Sequence, residues 1–325
     1  MNLVRFERIR KSFAGKLVLD DLSLSVDRGE VYGLLGPNGC GKSTAINVLC
    51  NLLDPDAGTV RIAGDAVSGD AKGLVGLCPQ DIALYRDLYP GENLRFFAQV
   101  YGLSGSAQKR RVSELMELFG LERFGRMPVG SLSGGWQRRV HIAVALVHSP
   151  AILVLDEPTS AVDLEARHEL WHLIDALKRT GTTILLTTHH LDEAEHLCSR
   201  IGIMKNGRIA KEGTVAELLA VVPAQAIALV ETATEDAVLR RAEELGWGIR
   251  HYADKLGCLL PQQASLRAVV DALRDVDVSA VSVQRVSLEH AYLEVVQSAT
   301  GATSHSGPVR DNDEASPLIR KEAGR

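Results

Sequence analysis

Residues 36–44, Gly36-Pro37-Asn38-Gly39-Cys40-Gly41-Lys42-Ser43-Thr44, place glycines around an ammonium and two hydroxyls. The pattern G-x-x-x-x-G-K-[ST] suits a polyphosphate. Glycines let the backbone curl so that successive N–H groups point inward at phosphate oxygens. A helix beginning there adds the positive end of its dipole. Lys42 would bridge β- and γ-phosphates, and the Ser43 hydroxyl would bind Mg²⁺. A plain Gly-rich turn would leave the Lys-Ser pair without a purpose.

A second group is Asp156-Glu157, two carboxylates directly after the apolar run 151–155. At the carboxyl end of a parallel strand, where α/β sheets bind ligands, Asp156 is placed to hold Mg²⁺ through water. Glu157 is placed to polarise a water that attacks a γ-phosphate. His189, after the apolar run 183–186, can donate a hydrogen bond to a phosphate; His190 is a candidate by adjacency alone. Ser133-Gly134-Gly135 opens a helix, either as a second anion site or as an ordinary cap with glycines. Phe13 stacks on a purine or caps the hairpin that carries it. Gln80 reaches a bound metal or stays a solvated loop residue. Cys40 faces the phosphates, where bulky alkylation would block nucleotide binding, or points away and is inert.

These residues need elements to hold them. Val31–Leu35 reads as a short buried strand, and 43–52 is apolar at helical spacing, so the loop 36–44 lies between strand and helix. Residues 3–9 alternate as an antiparallel strand does, Ala14-Gly15 is a hairpin turn, and 17–19 and 22–26 continue the β pattern. A turn at 54–58 precedes a strand at 59–62, and 74–78 is another short apolar run. Residues 92–120 read as helical. The run Lys109-Arg110-Arg111 is a solvated helix face rather than a nucleic-acid site. The runs 151–155 and 183–186 are continuous, as in strands covered on both faces, with a helix over 164–178 between them.

Composition narrows the class. The 325 residues suit two domains, or one with an appendage, and a net charge of −5 gives no reason to expect a nucleic-acid partner. The five cysteines show no C-x-x-C pair and fit reduced thiols better than disulfides or zinc. The N-terminus has no apolar signal core, and no run approaches the ~20 residues of a membrane helix.

Taken together, the phosphate loop, Gln80, Leu132-Ser133-Gly134-Gly135, Ile152–Glu157, Ser160–Asp163 and Thr187–His189 occur in an order that resembles the ATP-binding cassette family, over roughly residues 1–222. The resemblance implies an α/β fold: a P-loop ATPase core with an antiparallel β subdomain and a helical signature subdomain. It implies that Phe13 stacks on adenine and that Gly36, Asn38 and the run Gly39 to Thr44 cradle ATP. Gln80 would sense the metal and couple to a membrane subunit. Ser133, Gly134 and Gly135 would contact the γ-phosphate held by the other protomer. Asp156 would be the magnesium-linked aspartate, Glu157 the catalytic glutamate, Asp163 the dimer-crossing aspartate and His189 the switch histidine. The implied ligands are ATP and Mg²⁺. The implied partners are a second copy in an ATP sandwich and an integral membrane permease, which would hold the chain at the cytoplasmic face of the membrane. Transport would be export of a drug, antibiotic or lipid. A soluble cassette of DNA repair or translation is the alternative; the interval 42–156 has neither the coiled coil nor the zinc insertions common in the former, and a single cassette is present where the latter needs two. Two departures stand out. Trp136 occupies a position where the family usually has Gln, with Gln137 one place later, and Ala161-Val162 replaces a common Gly-Leu.

From Pro223 the pattern restarts as β-α-β-α-β up to Gln297: strand 226–230, helix 235–245, strand 248–260, helix 265–273 and strand 278–283. This resembles the small α/β accessory domain of drug-exporter ATPases, or is an extension of the cassette. Residues 298–325 are rich in Ser, Gly, Ala and charge and are expected to be disordered. The segment 81–90 is apolar and aromatic for a loop, which fits a partner site or packing against the helices that follow.

Overall fold

The computed structural model describes residues 2–67, 73–252 and 255–298. Strands β1 (Asn2–Phe13) and β2 (Lys16–Asp27) form an antiparallel hairpin. Its two-residue turn has φ of +46° at Ala14 and +81° at Gly15. Two positive φ values give the turn the twist that the flanking strands need. β3 (Val31–Leu35) leads through the loop 36–41 to helix α1 (Lys42–Leu49), which ends before the expected 52. β4 (Ala57–Ile62) and β5 (Asp65–Ala66) complete a sheet ordered β2-β1-β4-β5.

β6 (Val75–Cys78) begins the return to the central sheet. Helices α2 (Pro90–Val100) and α3 (Gly105–Leu118) fill the interval read as helical, and α4 (Gly134–Ala145) follows. Next come β7 (Ile152–Asp156), α5 (Leu164–Arg179), β8 (Thr183–Thr188) and α6 (Leu191–Leu197). β9 (Arg200–Lys205), β10 (Arg208–Gly213) and α7 (Val215–Leu219) close this part of the chain. The sheet order is β10-β9-β3-β8-β7-β6, parallel except for β10 against β9.

Continuous apolar strands follow from this layering. In β7, Leu153 and Leu155 face the helices α2 to α5, while Ile152 and Val154 face the antiparallel sheet and α1. Val31 and Leu35 of β3 take the first side, Tyr32 and Leu34 the second. Both faces are covered, so neither can be polar. The fold is the expected α/β core with an antiparallel subdomain and a helical subdomain.

A third sheet, ordered β12-β13-β11-β14, is built from β11 (Ala226–Glu231), β12 (Gly248–Tyr252), β13 (Lys255–Leu260) and β14 (Ala280–Arg285). Helices α8 (Glu235–Glu244) and α9 (Leu266–Ala272) cross over it. The span expected as one strand, 248–260, is two strands paired antiparallel, with Tyr252 opposite Lys255.

The final helix, α10 (Leu288–Ser298), was not foreseen. Leu288, Ala291 and Val295 recur at i, i+3 and i+7, and all are buried. They pack back on α6, α7, β9 and β10, and Lys205 Nζ donates to the Val296 carbonyl. Burying Leu288 and Val295 is worth on the order of 2 kcal/mol each, which ties this helix to the main body. Of residues 298–325, expected to be disordered, Ser298 instead ends α10 and 299–325 lie outside the described residues. Among the described residues, no helix is long and apolar enough to cross a membrane.

Candidate functional site

The phosphate loop turns where only glycine fits. Gly41, the N-cap of α1, has φ of +112°, and a Cβ there would stand 2.8 Å from Leu19 Cδ2. The turn aims the first N–H groups of α1 into a cavity of about 340 Å³, within the size range of small-molecule clefts. Asn38, Gly39, Gly41, Lys42, Ser43 and Thr44 line it, and Gln80 and Glu157 join them from β6 and β7. Val18 of β2 lines it too, which the sequence did not disclose. Gly36, at the end of β3, is buried and approaches the Met204 carbonyl too closely for any side chain.

Charge converges on Glu157. The buried Lys42 ammonium donates to the carbonyls of Gly36 (2.8 Å) and Pro37 (3.3 Å) and lies 3.9 Å from Glu157 Oε1. His189 Nδ1 stands 3.2 Å from the same oxygen, and Gln80 Nε2 lies 3.4 Å from Oε2. Glu157 itself has φ of +46°. A non-glycine residue in this region costs of order 1–3 kcal/mol and persists where its surroundings hold it.

Thr187 provides that hold. β7 and β8 pair Asp156 with Thr187 across the parallel ladder. Thr187 Oγ1 donates to Asp156 Oδ1 at 2.5 Å, and Glu157 N donates to Thr187 Oγ1 (3.2 Å) and to its carbonyl (3.1 Å). One buried hydroxyl thus orients both carboxylate residues. In the sequence Thr187 stands only as the start of the Thr187–His189 run, because its contact with Asp156 depends on the register between two strands.

The donor set suits Mg²⁺, which takes hard oxygen ligands. Asp156 is 8% exposed, and its second carboxylate oxygen makes no hydrogen bond to a described residue. Ser43, exposed at the cavity, likewise has an unengaged hydroxyl among the described residues.

Other expected site residues lie outside this cavity. Phe13, at the hairpin tip, is 46% exposed, with the Lys11 ammonium 5.8 Å from its ring. The Cys40 thiol is buried against Gly36, and burial pushes its pKa up. Cys40 N donates to the Pro37 carbonyl, so the residue serves the loop through its backbone. Asp163 Oδ1 accepts from Ala166 N at 2.9 Å and caps α5.

The Ser133 end of α4 is a separate surface. Ser133 and Gly134 are exposed, and the Ser133 hydroxyl makes no capping bond. Gly135 is buried against Ala166 of α5. Trp136 lies with its ring 4.0 Å from the Arg123 guanidinium and 4.4 Å from that of Arg139, and packs on Phe124. Gln137 turns back and donates to the Leu132 carbonyl at 2.8 Å. The helix thus has a free N-terminus, whose exposed hydroxyl and N–H groups can receive an anion from outside the chain.

The ABC transporter family profile matches residues 19–160. The chain is 37% identical over 219 residues to the Linearmycin resistance ATP-binding protein LnrL of Bacillus subtilis (strain 168), covering 66% of this chain and 70% of that protein. It is 44% identical over 213 residues to the Nod factor export ATP-binding protein I of Burkholderia orbicola (strain AU 1054), covering 65% and 70%. Among solved structures, the dimeric structure of MJ0796, a bacterial ABC transporter cassette, superposes with a TM-score of 0.59 at 28% identity, covering 65% of this chain and 98% of that one. A cavity between a phosphate loop and Glu157 agrees with this likeness, and the chain belongs to the ABC transporter family of ATP-binding, ATP-hydrolysing proteins.

Proposed function

We propose that this chain is the ATPase subunit of an exporter for a drug, antibiotic or lipid, driving a separate membrane permease from the cytoplasmic face of the membrane. The exporter reading is supported by relatives named for linearmycin resistance and for Nod factor export. Two copies would sandwich two ATP molecules, each between one phosphate loop and the partner's Ser133-Gly134-Gly135. The free N-terminus of α4 supports this reading. Residues 1–222 would be the nucleotide-binding domain and 223–297 an accessory domain, a division supported by the third sheet with its own apolar core.

One observation carries the chemistry: Lys42, Gln80 and His189 all meet Glu157 at the cavity. Lys42 and the loop N–H groups bind and orient the polyphosphate. Glu157 accepts a proton from the attacking water, and His189 and Gln80 hold its carboxylate in place. Ser43 and Asp156 would hold Mg²⁺, with Gln80 reaching toward it, and the ion would offset phosphate charge. Phe13 would stack on adenine, and Asp163 would stand at the dimer seam.

Replacing Glu157 by Gln tests the assignment. The variant should bind ATP normally, lose at least 100-fold in turnover, in line with general-base contributions of 10²–10⁴, and accumulate an ATP-bound dimer by size-exclusion chromatography. Undiminished hydrolysis would remove Glu157 from the role.

A further inference from the structure

Arg138 lies in the second turn of α4 and is 3% exposed. A buried guanidinium usually meets a carboxylate, because an uncompensated buried charge is costly. Arg138 makes no ion pair among the described residues. Its Nη1 donates to the Pro79 carbonyl at 2.8 Å and its Nη2 to the Gln80 carbonyl at 2.6 Å. Cys78 Sγ, 3.8 Å from Nη1, does not neutralise it, since burial pushes that thiol up to about 11. What the fork offers here is geometry: two rigid donors on successive carbonyls. Those carbonyls need it. They lie just past the end of β6, outside the ladder, and take no other hydrogen bond from a described residue. The Gln80 side chain, fixed by this backbone, then meets Glu157 Oε2 at 3.4 Å.

We propose that Arg138 is a positioning residue for hydrolysis: it clamps the backbone at Gln80, sets where the Gln80 amide meets Glu157, and ties that setting to the helix that begins at Ser133. A shift at the exposed end of α4 would therefore reach the hydrolytic carboxylate within the same chain. The inference rests on the assignment of Gln80 and Glu157 given above.

Two variants test it in the full-length chain. Arg138→Lys keeps the charge but cannot fork across both carbonyls; Arg138→Gln keeps an N–H donor and removes the charge. Either should lower kcat about tenfold or more, because small misplacements of catalytic groups are amplified in rate, while ATP affinity by equilibrium binding stays within about twofold. A merely structural role would lower the melting temperature and leave kcat per folded molecule unchanged. Gln80→Ala separates the two claims. If Gln80→Ala has wild-type kcat, the assignment of Gln80 fails and this inference with it. If Gln80→Ala is impaired and Arg138→Lys costs as much again on top of it, Arg138 does not act through Gln80 and this inference alone is overturned. The expected result is that Arg138→Lys adds less than about twofold in the Gln80→Ala background. Hydrogen exchange on the wild-type chain gives a result even if neither Arg138 variant folds. On adding MgATP, protection should change together in 79–84 and 134–140; a change in one segment alone overturns the coupling.

Discussion

Gly134 and Gly135 are adjacent in sequence but meet different surroundings, and replacing each by Ala separates packing from partner contact. A Cβ built on Gly135 lies 2.6 Å from Ala166 Cβ, about 1 Å inside the usual 3.5–4.0 Å contact between carbons. A contact this short belongs at the upper end of the ~1–3 kcal/mol that overpacking costs, which the ~1 kcal/mol that Ala gains over Gly in a helix offsets only in part. At about 2–4 °C per kcal/mol for a domain of this size, Gly135→Ala should melt several degrees lower. A Cβ on Gly134 meets nothing within 4 Å. Gly134→Ala should therefore melt at or slightly above the wild-type temperature and bind ATP at Lys42 as before. If the proposed sandwich holds, its turnover should nevertheless fall at least about tenfold, because the new methyl would crowd the phosphate held by the partner. The assays are thermal melting by circular dichroism and steady-state phosphate release. A Gly134→Ala chain that is both stable and fully active would refute the reading that this end of α4 meets the other protomer's nucleotide. A Gly135→Ala chain of unchanged stability would refute the packing against α5.

Further outcomes follow from the buried groups and the aromatic surface. Cys40 is 6% exposed with its pKa raised by burial, so iodoacetamide labelling at pH 7.5 should be slow and equal with and without MgATP by mass spectrometry; protection by nucleotide would mean the thiol faces the phosphates. His141 is 2% exposed, and burial, with the Arg138 charge nearby, lowers its pKa from 6.5 to about 4. The unfolded chain therefore takes this proton first. The associated stability, ~3 kcal/mol for that shift, is present above pH 6.5 and lost as pH falls toward 4. His141→Leu should lose correspondingly less stability between pH 7 and 4 in urea titrations, and parallel curves would refute the assignment. Tyr85 is 50% exposed and sits edge-on to Phe96, itself 38% exposed, whereas Leu84 packs on the main core. If the proposed permease docks here, Tyr85→Ala should keep basal ATPase and lose co-purification with it, while Leu84→Asp should cost fold stability; unchanged membrane association in the Tyr85 variant would place the docking surface elsewhere.

Legibility tracked sequence distance. The phosphate loop and the Asp-Glu pair stand out in the sequence because the chemistry they suggest is local: glycines beside a Lys-Ser pair, carboxylates at the end of an apolar run. The central strands β3, β7 and β8 were legible for a related reason, since a strand covered on both faces must be apolar at every position. Reading failed where meaning depends on a partner far along the chain. Thr187 looks like any strand threonine until the parallel register sets it against Asp156, 31 residues away. Arg138 looks like one more charge in Arg138-Arg139 until its guanidinium is found on carbonyls 58 and 59 residues earlier. The helix α10 had a visible apolar spacing, but nothing local said that its face would close on α6 and α7. The same distinction bears on function. The local motifs supply the groups proposed to touch nucleotide, and many proteins that bind phosphate share them. The long-range contacts hold those groups at a working distance from one another, and Arg138 joins two of them, the Gln80 loop and the helix that begins at Ser133. For this reason the Arg138 variants probe what residues 36–44 cannot: whether events at the exposed end of α4 are felt at Glu157.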